Sequence, residues 1–110
     1  MEGFLKNLSL GTFNARGMRN NKKRYTLLNN FKSSNINIIA VQETHLSVSE
    51  EEELRKQWGG VAHFSHGTNR SKGLLTLFHK SLDPKNIKLV YKNEHFILSS
   101  TSINDEQNIV

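Results

Sequence analysis

The run Asn35-Ile36-Asn37-Ile38-Ile39-Ala40-Val41-Gln42-Glu43 constrains this chain more than any other stretch. Its near-continuous apolar centre suits a strand buried on both faces. Such strands belong to parallel sheets and are reached by a strand-helix-strand crossover. The run ends on Glu43, which by two-residue alternation shares a face with Ile39 and Val41. A carboxylate is therefore expected at the mouth of a hydrophobic sheet, where desolvation makes a charge costly.

The preceding sequence supplies the rest of the crossover. Leu8-Ser9-Leu10-Gly11-Thr12-Phe13 reads as a first strand, with Leu8, Leu10, Thr12 and Asn14 on one face, and Asn14 lies where the strand runs out into a loop. Ala15 to Asn21 has turn composition. Lys22 to Ser33 then carries Tyr25 and Leu28, and Leu27 and Phe31, at helical spacings, which predicts a first helix. After the second strand, Ser49-Glu50-Glu51-Glu52 has capping-box spacing, with Ser49 as N-cap and Glu52 three residues on. The helix it opens should present Leu54 and Trp58 on one face and stop at Gly59-Gly60. Its glutamates read as capping and solvation rather than as a metal cluster. Four further strands are expected over residues 61–65, 73–78, 87–91 and 96–100 in meander style. The chain stops at Asn108-Ile109-Val110, inside what reads as a new strand, which suggests truncation.

At 110 residues the sequence fits one domain, and its 35% hydrophobic content leaves few apolar side chains to offset the entropy of ordering the backbone. It contains no cysteine, which excludes disulfides and Cys-ligated zinc. No apolar stretch has signal-peptide or membrane-spanning length, so an intracellular chain without membrane association is expected. Fifteen Lys and Arg against ten Asp and Glu leave a net charge of +5, a bias that attracts phosphate backbones.

Asn14 and Glu43 close two adjacent strands, and ligands in open α/β sheets bind beyond the carboxyl ends of strands. A lone carboxylate beside a neutral amide suits Mg²⁺, which takes one or two hard oxygen ligands from protein and keeps the rest as water and phosphate. The competing reading makes Glu43 an ordinary strand-end residue. Arg16 and Arg19 follow Asn14, and Lys22, Lys23 and Arg24 open the first helix. These cations either rim a phosphate site or form a solvated helix face. His45 reads as a rim residue. His63, His66, His79 and His95 lack metal-ligand spacing and are expected to be structural or exposed.

Thr12-Phe13-Asn14-Ala15-Arg16-Gly17, followed by Ile38 to Leu46 with its Gln42-Glu43-Thr44-His45-Leu46 ending, resembles the first two motifs of the endonuclease/exonuclease/phosphatase family. With the later stretch from His66 to Phe78, the pattern is similar to the endonucleases of LINE-type retrotransposons, relatives of apurinic endonucleases. The resemblance runs from about Leu8 to Val110. It implies an α/β fold, the N-terminal part of a four-layer sandwich in which two packed β-sheets are flanked by helices, with residues 1–110 forming a partial domain. It further implies that Glu43 binds a catalytic Mg²⁺ or Mn²⁺ and that Asn14 lies beside the metal and positions the scissile phosphate. Arg16, Arg19 and Lys72 would contact DNA. In an intact element the domain would nick nuclear target DNA and be followed by a reverse transcriptase. The family's tyrosine, Asp-x-Asn pair and closing aspartate-histidine pair have no counterpart here, so the expectation is an incomplete and inactive fragment. Two alternatives remain at this stage. One is a non-catalytic remnant with at most weak nucleic-acid binding, and the other is a phosphatase-type member of the same superfamily.

Overall fold

A computed structural model describes residues 8–67, 72–103 and 106–109. Strand β1 (Leu10–Asn14) and strand β2 (Ile38–Gln42) lie in parallel, with Leu10 opposite Ile38 and Asn14 opposite Gln42. Helix α1 (Asn21–Ser33) joins them, and the Asn20 side chain accepts from the Lys23 N–H at its start. The expected crossover is therefore present. Helix α2 (Val48–Trp58) follows, then strands β3 (Ala62–Ser65) and β4 (Leu74–Phe78). Antiparallel pairing of β2 with β4 and of β4 with β3 gives a four-stranded sheet in the order β1-β2-β4-β3. A 3-10 turn at Pro84–Asn86 leads into β5 (Ile87–Lys92), β6 (Ile97–Ile103) and β7 (Glu106–Ile109), an antiparallel three-stranded meander.

Alternation along β2 decides how these parts stack. Ile39 and Val41 enter the main core with Leu28 of α1 and with Leu54 and Trp58 of α2. Ile38, on the opposite face, joins Phe78 and Ile87 in a smaller cluster against the second sheet. Polar contacts seal that second junction. His63 Nδ1 meets the Ser99 hydroxyl at 2.6 Å, Lys92 Nζ donates to the Phe64 carbonyl at 2.8 Å, and the Ser65 hydroxyl donates to the Asn93 carbonyl. The chain is thus an α/β fold of helices, sheet and second sheet. Those are three of the four layers expected, and among the described residues the edge strand β5 leaves Leu89, Val90 and Tyr91 exposed. No helix among the described residues is long and apolar enough to cross a membrane.

Two local expectations are corrected. The cap of α2 is Ser47, not Ser49: the Glu50 carboxylate accepts from the Ser47 N–H at 2.6 Å and from its hydroxyl at 2.8 Å. Two overlapping Ser-x-x-Glu spacings compete here, and the earlier one buries Leu46, 4% exposed, directly before the cap. Gly59 closes the helix as expected, with φ of 81°. Tyr25 is 56% exposed, and its neighbour Arg24 turns inward instead, because a guanidinium can be buried where several acceptors converge.

Candidate active site

The parallel ladder brings its last residues together. Asn14 is opposite Gln42, the Ala15 N–H donates to the Gln42 carbonyl at 2.8 Å, and Glu43 is the first residue beyond β2. Asn14 Nδ2 donates to Glu43 Oε2 at 2.6 Å, across 29 residues of sequence. The amide oxygen of Asn14 accepts from the Arg16 N–H at 3.0 Å, so both ends of the amide are engaged and its orientation is set. Asn14 therefore serves Glu43 as a donor in this arrangement.

Glu43 lies at the centre of an unusual turn. Glu43 and His45 have φ of 54° and 56°, and Arg16 across from them has φ of 50°. Such left-handed backbone costs a residue with a side chain of order 1–3 kcal/mol and persists only where its surroundings fix it. Those surroundings are visible on both sides. Toward β1, the Gly17 N–H donates to the Glu43 carbonyl at 2.7 Å and the Met18 N–H donates to the Thr44 carbonyl at 2.9 Å. Toward β4, the Thr44 N–H donates to the Gly73 carbonyl at 3.3 Å and the His45 N–H donates to the Lys72 carbonyl at 2.8 Å.

Thr44, 1% exposed, is the pivot of this turn. Gly73 approaches it so closely that a Cβ there would stand 2.5 Å from Thr44 Oγ1, and Gly73 itself has φ of 91°. Two features of the glycine thus converge, a left-handed backbone and a missing side chain. Thr44 and Gly73 both fall inside the motif stretches, but nothing in the sequence marks them as a contact. The one available signal is a glycine placed directly before the apolar run of β4.

The electrostatics favour an ionised Glu43. The hydrogen bond from Asn14 lowers its pKa most, partial burial opposes this, and the nearby Lys72 ammonium and His45 lower it further. Lys72 Nζ stands 3.6 Å from Glu43 Oε1 with most of its side chain in solvent. Among the described residues no three His, Asp or Glu side chains gather as a metal cluster. The donor set is a single ionised carboxylate whose Oε1 faces an exposed lysine. That chemistry fits a hard, largely hydrated divalent cation.

The expected cations separate into different environments. Arg16 is exposed at the rim, in the loop that Asn14 holds. Arg19 Nε lies 3.4 Å from the Glu50 carboxylate. Lys23 Nζ donates to the Ala15 carbonyl at 2.9 Å. Arg24 is withdrawn from the rim altogether, with 3% of its side chain exposed, and it serves the fold. Lys72 is beside Glu43, while Arg70 and Ser71 lie outside the described residues. The glutamates of α2 have partners as well: Glu51 contacts His66 and Arg55, Glu52 contacts Lys56, and Glu53 contacts Arg24. His45 is exposed on the rim, and its ring would lie 3.5 Å from a Cβ at Gly17. His63 is half-buried between the sheets, and His79 packs edge-on to Trp58.

The structure thus defines an α/β domain with a polar site beyond the ends of two parallel strands. No protein-family model matches the chain. A stretch of 96 residues, 87% of the chain, is 30% identical to part of the "Transposon TX1 uncharacterized 149 kDa protein" of Xenopus laevis, and it spans 6% of that protein's length.

Proposed function

We propose that this chain is the metal- and phosphate-contacting part of an endonuclease/exonuclease/phosphatase-type domain from a LINE-type retrotransposon, whose complete form hydrolyses phosphodiester bonds of DNA. The observation that carries the reading is the 2.6 Å contact from Asn14 to Glu43, made across 29 residues by the two motif positions at adjacent strand ends. The likeness to a transposon protein supports the element class. Bound at Glu43, Mg²⁺ would polarise the phosphodiester and neutralise charge that develops on it.

The residues of this chain have separable parts in that scheme. Glu43 holds the cation through an ionised carboxylate that Asn14 keeps oriented. Asn14, engaged with both Glu43 and the Arg16 N–H, ties the carboxylate to the loop at the rim. Arg16 in the loop that Asn14 holds, Arg19 and Lys72 supply phosphate contacts, with Arg19 leaving its pairing with Glu50 to do so. Activation of the attacking water falls to residues outside this chain. The Gln42-Glu43-Thr44-His45 context favours nucleic acid over the small phosphate esters of related phosphatases.

The test begins with melting of the full chain. Mg²⁺ should raise the melting temperature of the parent and of His63→Ala but not of Glu43→Gln. A rise that survives Glu43→Gln overturns the site. Fluorescence anisotropy with a DNA duplex in Mg²⁺ should then show binding that weakens as salt rises. Binding that is indifferent to salt, or absent at low salt, overturns the substrate.

A further inference from the structure

The cation beside Glu43 in this structure is the ammonium of Lys72. Its Nζ stands 3.6 Å from Oε1, while Asn14 occupies Oε2 at 2.6 Å. Oε1 is therefore the oxygen left for a divalent ion, and Lys72 stands on that side. The placement is built by the backbone. The Lys72 carbonyl accepts from the His45 N–H at 2.8 Å, and the next carbonyl, of Gly73, accepts from the Thr44 N–H at 3.3 Å. The close approach of Gly73 to Thr44 holds this strap against the turn that carries Glu43. Beyond its anchored backbone the side chain is 61% exposed, free to leave without disturbing the core.

We propose that Lys72 is an exchangeable counter-ion of Glu43. It stabilises the carboxylate in the metal-free protein, is displaced when a divalent cation binds, and is thereby released to contact a substrate phosphate. The inference rests on the reading of Glu43 as a metal ligand. A divalent ion on Oε1 and an ammonium beside the same oxygen repel, so binding of the ion favours departure of the exposed lysine. One positive charge then serves two positions in turn. Loading of the metal and capture of the phosphate become coupled, with no movement of the backbone required.

The experiment is a titration of the full chain with Mn²⁺, following free metal by electron paramagnetic resonance, on the parent, Lys72→Ala, Lys72→Gln and Glu43→Gln. DNA anisotropy is measured on the same proteins. Lys72→Ala and Lys72→Gln should bind Mn²⁺ about three- to tenfold more tightly than the parent. The same two variants should bind DNA more weakly, with a shallower salt dependence. Glu43→Gln should lose the Mn²⁺ site. Unchanged or weakened Mn²⁺ binding in both Lys72 variants, with loss in Glu43→Gln, overturns the exchange while leaving the metal reading intact. Retention of the Mn²⁺ site in Glu43→Gln overturns both. Tighter metal binding with unaltered DNA binding overturns the release to phosphate. Cooperative melting of each variant without metal, with the two Lys72 variants close to the parent because the pairing is largely exposed, excludes misfolding as the cause.

Discussion

Arg24 offers the sharpest test of how the loop around the site is held. Its side chain is 3% exposed, and its guanidinium donates to the Gln57 side chain at 2.8 Å, the Met18 carbonyl at 3.1 Å and the Arg19 carbonyl at 3.0 Å. It also reaches Asn21 at 3.2 Å and Glu53 at 2.9 Å. Arg24→Ala would orphan the buried Met18 carbonyl, at about 1–3 kcal/mol, and release the part-buried Arg19 carbonyl at a smaller cost because water can reach it. The Glu53 carboxylate is 55% exposed, so its pairing adds at most about 1 kcal/mol. The expected loss is about 3 kcal/mol, a large share of the 5–15 kcal/mol typical of a domain. Arg24→Lys should recover only part of it, because one ammonium cannot replace a planar fork that reaches separated acceptors. Urea unfolding followed by the fluorescence of the single tryptophan, Trp58, buried in the main core, gives the assay. Losses under about 1 kcal/mol in both variants would refute the reasoning, since at least one carbonyl would then have found another donor.

Gly73→Ala should destabilise the chain by about 2 kcal/mol or more through left-handed strain and the clash with Thr44, measured by the same unfolding experiment. A neutral outcome would mean that the strap is not tight. The Glu43 carboxyl should titrate below 4.5, and its ionised-state stabilisation should be present above that value and fade as pH falls through the folded pKa. In carboxyl-detected NMR, Asn14→Ala should move the midpoint up more than Lys72→Ala does, and the reverse order would contradict the assigned causes. Burial lowers the His63 pKa below 6.5, with Arg55 and Lys92 adding to the effect. The unfolded chain then takes up that proton first, so stability should decline as pH falls from about 6.5 toward the folded value. His63→Gln should flatten this part of the profile, and an unaltered slope would assign the decline elsewhere.

The parallel β1-α1-β2 unit was legible because an apolar run such as Ile38 to Val41 has few other uses, and its alternation correctly divided Ile39 and Val41 from Ile38. Asn14 closes β1 and Glu43 directly follows β2, so the parallel pairing of the two strands brings them together. Periodicity failed where tertiary demands outweighed it. Tyr25 fits an apolar stripe by spacing, yet the carbonyls of Met18 and Arg19 draw Arg24 inward instead. Ser49 and Ser47 offer equivalent local caps, and the burial of Leu46 decides between them. The left-handed turn at Glu43 and His45 leaves no local trace, because glutamate and histidine adopt it only under restraint from Gly17, Met18, Lys72 and Gly73.

Glu43, oriented by Asn14, is proposed to hold a divalent metal at the ends of β1 and β2. The most direct measurement is residue-resolved NMR of the amide signals during addition of Mn²⁺, whose unpaired electrons broaden nearby resonances. Asn14, Glu43, Thr44 and Lys72 should broaden first, and Glu43→Gln should remove the effect. Broadening centred on Glu50 to Glu53 of α2, or a pattern unchanged by Glu43→Gln, would contradict the proposal.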